Sequence, residues 1–199
     1  MINPLSPMTK LDAVNGMLAS IGQAPVNSLD VTGIRDVNIA TLALDNTTRE
    51  VLNRGWSFNT DKRYPLSVDV NGYINVPTGS LSVDPSDPSL DLVVRDNGGQ
   101  LMLYDRKNHT FKINKSPVEC DIIWAMDFEA IPQAARTYIA TRAARIFQSQ
   151  VIGSDILFRF TDLHETEAFA LLTRMEARTK DRNIFRNSSD TNGVFFYRN

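Results

Sequence analysis

The sequence has little cysteine and histidine, the residues that build disulfides, many metal sites and many nucleophilic centres. It has one cysteine, Cys120, which excludes an internal disulfide. Because Cys120 lies in an apolar run, we predict that it is a buried thiol. The two histidines, His109 and His164, lie far apart in the sequence and in different predicted elements, and neither has a cysteine at ligand spacing. The sequence also has no Gly-x-Ser-x-Gly motif and no phosphate-binding loop. We therefore expect no metal, no cofactor and no enzymatic activity.

Strong charge of one sign and long apolar runs are also absent. The 199 residues carry a formal net charge of -2, which gives no overall positive field for attracting nucleic acid or anionic lipid. No run approaches the roughly 18 apolar residues of a membrane span, and the N-terminus does not resemble a signal peptide. We expect a protein that folds in the cytoplasm, with enough chain to bury one hydrophobic core and to carry an insertion.

Two segments at the start of the sequence have helical periodicity. The first runs from about Pro7 to Ile21, with Ser6 as its predicted cap, and the second from about Asp36 to Arg54. Thr47 and Thr48 interrupt the apolar stripe of the second helix, so that burial there is partial or their hydroxyls bond back to the preceding turn. The residues predicted to face inward on the second helix are Val37, Ala40, Leu44, Val51 and Leu52.

Helical periodicity returns near the end of the sequence. A third helix is predicted from Pro132 to Gly153 and a fourth from about Ile156 to Thr179. The third has the inward stripe Ala135, Tyr138, Ile139, Ala143, Ile146 and Phe147. The fourth has the inward stripe Leu157, Phe160, Leu163, Ala170, Leu171 and Met175.

Between these pairs of helices, turn-forming residues separate short apolar runs. Asn71-Gly72 and Asp96-Asn-Gly-Gly99 each predict a tight turn between two antiparallel strands. Further strands are expected at Phe111 to Ile113 and Val118 to Trp124, with an exposed loop at Asp84 to Pro88.

These patterns predict an α+β protein: a four-helix bundle with an inserted small antiparallel β domain and an extended C-terminal tail. The bundle is expected to consist of residues 1–55 and 128–182, since an apolar helical stripe needs another element to cover it. Residues 56–127 form the predicted β domain and residues 183–199 the tail.

Two features near the C-terminus predict partner binding. One is a basic cluster around the end of the fourth helix, which can also be interpreted as a complement to the negative end of the helix dipole. The other is a run of apolar and aromatic residues after a polar linker, which favours docking on a partner over packing on its own core. The candidate partner-binding residues are Arg174, Arg178, Lys180, Arg182, Arg186, Val194, Phe195, Phe196 and Tyr197.

Three segments resemble the tail tubular protein A family of short-tailed phages. They are Leu11-Asp-Ala-Val-Asn-Gly-Met-Leu-Ala-Ser-Ile-Gly22 with Ala24-Pro-Val, Arg54-Gly-Trp-Ser-Phe-Asn59, and the Pro132 to Gly153 helix with Tyr138-Ile-Ala-Thr-Arg-Ala-Ala-Arg-Ile-Phe147. Their order and spacing extend the resemblance from about Leu11 to Ala177. The resemblance implies a virion tail protein with a helical body and a β domain.

The resemblance also implies an assembly and its partners. It implies a ring, commonly of twelve copies, fixed between the portal protein of the capsid and the tubular tail nozzle, with tail fibres attached nearby. Double-stranded DNA would pass through such a ring without sequence-specific binding, and a lumen rich in lysine and arginine would hold it back. We therefore expect a neutral or mildly acidic lumen, with Asp84, Asp87 and Asp91 as candidate lining residues.

The sequence is also compatible with two other functions. A tail-associated polysaccharide hydrolase would need two carboxylates several Å apart. The candidate pairs are Glu165 with Glu167 and Asp127 with Glu129, but residues two apart on a helix do not share a face, and a solvated surface is the better interpretation. A host-interaction domain is a further alternative, which a pull-down with portal protein would separate from the adaptor.

Deletion of Val194 to Asn199 is predicted to leave folding intact and to weaken docking, because it removes the aromatic segment and no predicted core residue. Circular dichroism checks the fold, and titration against purified portal protein measures the affinity. An unchanged portal affinity would refute the docking role of this segment.

Overall fold

The computed structural model describes residues 6–30, 34–151 and 155–187, and the side chains of these except 155–161 and 180–187. The elements confirm an α+β protein. The helices are α1 (Lys10–Ser20), α2 (Arg35–Leu52), α3 (Gln133–Val151) and α4 (Asp155–Asn187), with a 3-10 turn at Phe128–Ala130. The strands are β1 (Thr60–Leu66), β2 (Ser80–Pro85), β3 (Leu92–Asp96), β4 (Leu101–Asp105) and β5 (Val118–Trp124). The chain divides into two compact units, one from residues 1–48 and 127–199 and the other from residues 49–126.

Helix α1 begins later than its sequence suggested. Thr9 is the N-cap: its hydroxyl accepts a hydrogen bond from the backbone N–H of Asp12 at 3.1 Å, and the Asp12 carboxylate accepts one from the Thr9 N–H at 2.9 Å. This reciprocal capping box satisfies two N–H groups at once, which a cap at Ser6 followed by proline would not do. The predicted cap at Ser6 was therefore wrong. The same contact lowers the pKa of the Asp12 carboxyl.

The apolar stripe of α2 is confirmed. All five residues predicted to face inward are fully buried or nearly so. Thr47 and Thr48 are also buried, and their hydroxyls donate to the carbonyls of Ala43 and Leu44 at 2.7 and 2.8 Å. Bonding back to the preceding turn is how α2 accommodates two hydroxyls on a buried face.

Helix α3 is the centre of the helical unit, because it packs against both α1 and α4. Its side chains Ala135, Tyr138, Ile139, Ala143 and Phe147 are buried, as predicted, whereas Ile146 is only partly buried. Near the start of α3, Arg136 forms hydrogen bonds with the segment before α1 and with the 3-10 turn and the residue that follows it.

The Arg136 guanidinium donates to three backbone carbonyls. It reaches Ile131 at 2.8 Å, Met8 at 2.7 Å, and Glu129. The Glu129 carboxylate in turn accepts from the backbone N–H of Lys10 at 2.8 Å. These bonds hold the N-terminus of α1 against the 3-10 turn.

Helix α4 differs from its prediction in length and in buried face. It has 33 residues and continues to Asn187, so the predicted extended tail does not begin at residue 183. Its buried side chains are Glu165, Ala168, Leu172 and Glu176, whereas Leu163 and Leu171 are 58% and 50% exposed. The predicted inward stripe through Leu163, Ala170 and Leu171 was therefore wrong.

The unit of residues 49–126 contains a three-stranded antiparallel sheet in the order β1-β5-β2. The central strand β5 alternates, with Val118, Cys120 and Ile122 fully buried in the core of this unit. Cys120 is the predicted buried thiol, and burial raises its pKa to about 11, helped by Asp121 and Asp84. The edge strands β1 and β2 were not predicted, because polar residues interrupt their few apolar ones.

The two predicted turns had different outcomes. Strands β3 and β4 form the predicted hairpin around residues 96–99, paired from Leu92 with Asp105 to Asp96 with Leu101. The predicted hairpin around Asn71-Gly72 is not formed: the turn spans Asp69 to Gly72, with the Gly72 N–H donating to the Asp69 carbonyl at 3.0 Å, and regular strands do not flank it. Gly72 has positive φ, at +85, and Asn71 does not. Asp69 closes the turn by accepting from the backbone N–H groups of Asn71 and Tyr73, each at 2.8 Å. Residues 74–76 pair with β4 instead, through Leu103 N–H to Ile74 at 3.0 Å.

The strand predicted at Phe111 to Ile113 is also not formed. The neighbouring Thr110 makes an isolated bridge to Asp105, and the residues that follow are irregular. Ile113 is nevertheless buried in the core of its unit.

Asn59 joins the last turn of α2 to the sheet within residues 49–126. Its amide N–H groups donate to the carbonyls of Leu52 at 3.0 Å and Trp124 at 2.9 Å, and its side-chain oxygen accepts from the Trp56 N–H at 2.8 Å. Only 2% of Asn59 is exposed. Gly55 is required beside it, since its φ is +71 and an added Cβ would lie 2.9 Å from Ile123.

Replacing Asn59 with Ala is predicted to lower the free energy of unfolding by about 3 kcal/mol, because it removes three side-chain hydrogen bonds from an almost fully buried site. Urea unfolding followed by tryptophan fluorescence measures the change. Asn108→Ala is the control, since Asn108 is exposed and should cost less than about 1 kcal/mol. Equal effects of the two substitutions would contradict the role assigned to Asn59.

Candidate interaction surface

Arg174 and Arg178 stand one helical turn apart on the exposed side of α4. Beside them the first turn of α3 and the second half of α4 form an open groove of about 390 Å³. The groove is lined by Gln133, Ala134, Thr137, Leu171, Arg174, Met175, Arg178 and Thr179. It therefore combines an apolar floor with cationic residues, a combination suited to binding and not to a chemical reaction.

The other predicted partner-binding residues follow Arg178 in the sequence. Lys180, Arg182 and Arg186 fall on the last turns of α4, where the described residues include the backbone alone. Val194, Phe195, Phe196 and Tyr197 lie outside the described residues. Of the predicted set, the structure therefore brings Arg174 and Arg178 together on one surface.

The three candidate lumen acids lie along one stretch of the other unit. Asp84 is exposed on β2, and its carboxylate accepts from the Ser82 hydroxyl at 2.7 Å. Asp87 forms an ion pair with Lys115 at 2.8 Å, and Asp91 binds the Nε of Arg106 at 2.8 Å. The hydrogen bonds from Lys115 and Ser89 hold the pKa of Asp87 well below its usual range. Two of the three negative charges are therefore matched by a nearby cation.

A charge cluster between α3 and α4 was not found from the sequence. Arg142 donates to one carboxylate oxygen of Glu165 at 2.8 Å, and Arg145 donates to the other. The Glu165 side chain is 10% exposed. Burial by itself would raise the pKa of this carboxyl, but hydrogen bonds and positive charges from Arg145 and Arg142 outweigh it and lower the pKa. A signal was present in the spacing, since Arg142 and Arg145 are three apart and share a helical face.

This cluster removes one carboxylate pair from the hydrolase hypothesis. Glu165 is buried and bound to two arginines, so its predicted position on a solvated surface was wrong, while Glu167 is exposed on α4. In the second pair, Glu129 accepts from the Lys10 backbone and Asp127 is the N-cap of the 3-10 turn. Among the described residues, no group of three or more acids, histidines or cysteines is arranged to hold a metal ion.

The part of α4 outside its buried face has apolar side chains among the charged ones. Leu163 and Leu171 are about half exposed and Phe169 is 37% exposed. The Phe169 ring also contacts Tyr138 of α3, with 5.2 Å between ring centroids. Large exposed apolar side chains close to cationic ones are typical of interaction surfaces. In the described residues, no helix is long and apolar enough to cross a membrane.

Replacing Glu165 with Gln is predicted to lower the free energy of unfolding by about 2 kcal/mol at neutral pH, because it removes the negative charge that two partly buried arginines share. The pKa of Glu165 is lower in the folded chain than in the unfolded chain. Its contribution is therefore complete above its ordinary pKa of about 4.3 and is lost as the pH falls through the lowered value. Urea unfolding from pH 7 to pH 3 should show the difference between wild type and variant shrinking in acid.

Glu167→Gln is the matched control, because it removes the same charge from an exposed position on the same helix. It should change stability by less than about 0.5 kcal/mol. A difference between wild type and Glu165→Gln that persists unchanged at pH 3 would contradict the assignment.

The three segments that support the family resemblance all make structural contacts. Asn15 binds the backbone of Val26 twice, accepting from its N–H at 2.8 Å and donating to its carbonyl at 2.9 Å. Asn59 connects α2 to β5, and Arg142 and Arg145 bind Glu165. The residues of these segments therefore hold elements together.

Comparison with known proteins agrees with the family resemblance. The model of a family described as tail tubular protein matches residues 11–182, which include all three segments. A protein named Tail tubular protein A, from Klebsiella phage KP34, is 29% identical over 150 residues, which cover 74% of this chain and 76% of that protein. The chain therefore belongs to the tail tubular protein family, and it is a structural component of a phage tail and not an enzyme.

Proposed function

We propose that the chain is the head-to-tail adaptor of a short-tailed phage. In this role it forms a ring, with twelve copies as the expected number, between the portal protein and the tail nozzle. The observation that carries the proposal is the exposed face of α4, where Arg174 and Arg178 stand beside an apolar groove and half-exposed leucines. A surface of this composition is costly to leave in water and is suited to burial in an assembly.

Ring formation requires two different surfaces on each subunit that fit one another, with a rotation that closes. The face of α4 that includes Leu163 and Leu171 supplies apolar area for one of these surfaces. The helix, with 33 residues, is about 50 Å long at a rise of 1.5 Å per residue. It therefore offers a stiff and continuous edge for contact with a neighbouring subunit.

Docking to the portal is assigned to the basic end of α4. Arg174 and Arg178 are followed on the same helix by Lys180, Arg182 and Arg186. Opposite charge on the portal would orient the encounter, and the affinity would fall as salt rises. The segment Val194 to Tyr197 is proposed to add apolar contact to the same docking site.

The DNA passage is assigned to the stretch from Asp84 to Asp91 in the β unit. Its ion pairs with Lys115 and Arg106 keep the local net charge small. A surface of this kind would neither hold DNA by its phosphates nor repel it strongly. We propose that the nozzle and the fibres contact this unit and that DNA moves past it.

The domain arrangement proposed with this function is a four-helix bundle with an inserted β domain. Support for placing α2 in the bundle comes from its buried stripe and from the ion pair of Lys10 with Asp45, at 2.7 Å. Support for an insertion at residues 56–127 comes from the compact unit of residues 49–126.

Mixing the purified chain with portal protein is predicted to give rings at the portal, visible by electron microscopy. Arg174→Glu/Arg178→Glu should weaken this association at least tenfold at low salt, since it replaces two positive charges with negative ones. The control is Arg174→Lys/Arg178→Lys, which keeps both charges and should keep most of the affinity. Fluorescence anisotropy against labelled portal measures all three proteins.

Two results would contradict the adaptor. One is a lack of association with portal at every salt concentration tested. The other is turnover of a capsular or storage glycan by the purified chain that is lost on a single carboxylate substitution, which would favour the hydrolase.

A further inference from the structure

The groove between α3 and α4 has a chemistry that fits an aromatic segment. Ala134, Leu171 and Met175 give it apolar surface, and Arg174 and Arg178 place two guanidinium groups at its edge. Its volume of about 390 Å³ is in the size range of pockets that enclose a small ligand. Aromatic rings gain from both features, because their edges pack on apolar side chains and their faces attract cations.

The same chain contains such a segment a short distance beyond α4. Val194, Phe195, Phe196 and Tyr197 follow the polar spacer Ser188-Ser-Asp-Thr-Asn-Gly193. Consecutive aromatic side chains that are exposed to water raise the free energy of the chain, so a surface that covers them is favourable. The spacer consists of small and polar residues and ends in glycine, a composition that favours reach.

The length of the spacer matches the distance to the groove. From Arg178 to the end of α4 at Asn187 the helix rises about 14 Å, and from Leu171 about 24 Å, at 1.5 Å per residue. The seven steps from Asn187 to Val194 span at most about 25 Å when extended. The aromatic segment therefore reaches the groove at Arg174 and Arg178 without unwinding α4.

We infer that residues Val194 to Tyr197 dock in the groove of α3 and α4 of their own chain. The tether favours this occupant over a second copy, because a short linker holds the segment at an effective concentration near the millimolar range. A contact whose dissociation constant lies below this effective concentration is then mostly formed within the chain. A second copy, present at micromolar concentration, competes poorly with it. The role of this docking rests on the proposed function: it keeps the segment covered until the portal replaces the groove as its partner.

Disulfide trapping in the full chain tests the inference. Ala134→Cys places a thiol in the groove and Arg198→Cys places one next to the aromatic segment, whose four residues stay intact. The native Cys120 is buried and its pKa is raised to about 11, so it does not compete. Mild oxidation of dilute protein should form a bond within the chain at least tenfold faster than in the control Leu42→Cys/Arg198→Cys, where Leu42 is 59% exposed on α2.

Two further measurements decide what occupies the groove. Adding Phe195→Ser/Phe196→Ser to the trapping variant should slow the bond to the control rate, with circular dichroism unchanged. Equal rates for the groove and control pairs, or no effect of the two serines, would overturn the inference. Bonds that form only between chains and increase with protein concentration would assign the groove to a second copy instead.

The assay contains no portal protein, so its failure and the failure of the adaptor are distinguishable. Trapping within the chain together with an absence of portal binding would retain the docking and reject the adaptor. Portal binding without trapping would do the reverse.

Discussion

The contact of Glu165 with Arg142 and Arg145 determines which face of α4 is available to partners. A buried carboxylate needs counter-charge, so α4 must turn Glu165 toward the two arginines of α3. At 3.6 residues per turn this orientation also buries Ala168, Leu172 and Glu176. The opposite face, with Leu163, Leu171, Arg174 and Arg178, then points outward. The candidate interaction surface is a consequence of the ionic contact behind it.

That dependence explains why the sequence predicted the buried face of α2 correctly and the buried face of α4 incorrectly. Helix α2 has one apolar stripe, and hydrophobicity alone identifies its buried face. Helix α4 has leucine on both faces and glutamate on the buried one, so a rule that places leucine inside and acid outside selects the wrong face. Only the partner helix shows that Glu165 is neutralised, and no pattern within α4 contains that information. A structural protein that assembles is expected to break this rule, because its outward apolar residues are covered later by other subunits.

The β unit shows a different limit of sequence reasoning. Turn chemistry located turns near residues 71–72 and 96–99, because the positive φ of Gly72, Gly98 and Gly99 favours glycine. Pairing across the sheet depends on distant residues, so the partner of residues 74–76 was not predictable from the turn next to them. Edge strand β1 was not recognised in the sequence because it contains Lys62, Arg63 and Pro65. These are residues expected on a strand whose outer edge faces water. The bulge near Arg63, at φ 56, also interrupts the alternation of inward-facing and outward-facing side chains along the strand.

The candidate surface could be predicted in part, for a physical reason. Arg174 and Arg178 were predicted as part of the basic cluster around the end of the fourth helix. Because they are four apart on a helix, they share a face whatever the tertiary structure is. The apolar groove beside them was not identified, because it exists only where the first turn of α3 meets the second half of α4. Charges that interact inside the helical unit, at Glu165, are satisfied within the chain, whereas those at Arg174 and Arg178 remain on its exposed side. The fold therefore uses one set of arginines for its own stability and leaves a second set on the face that assembly would cover.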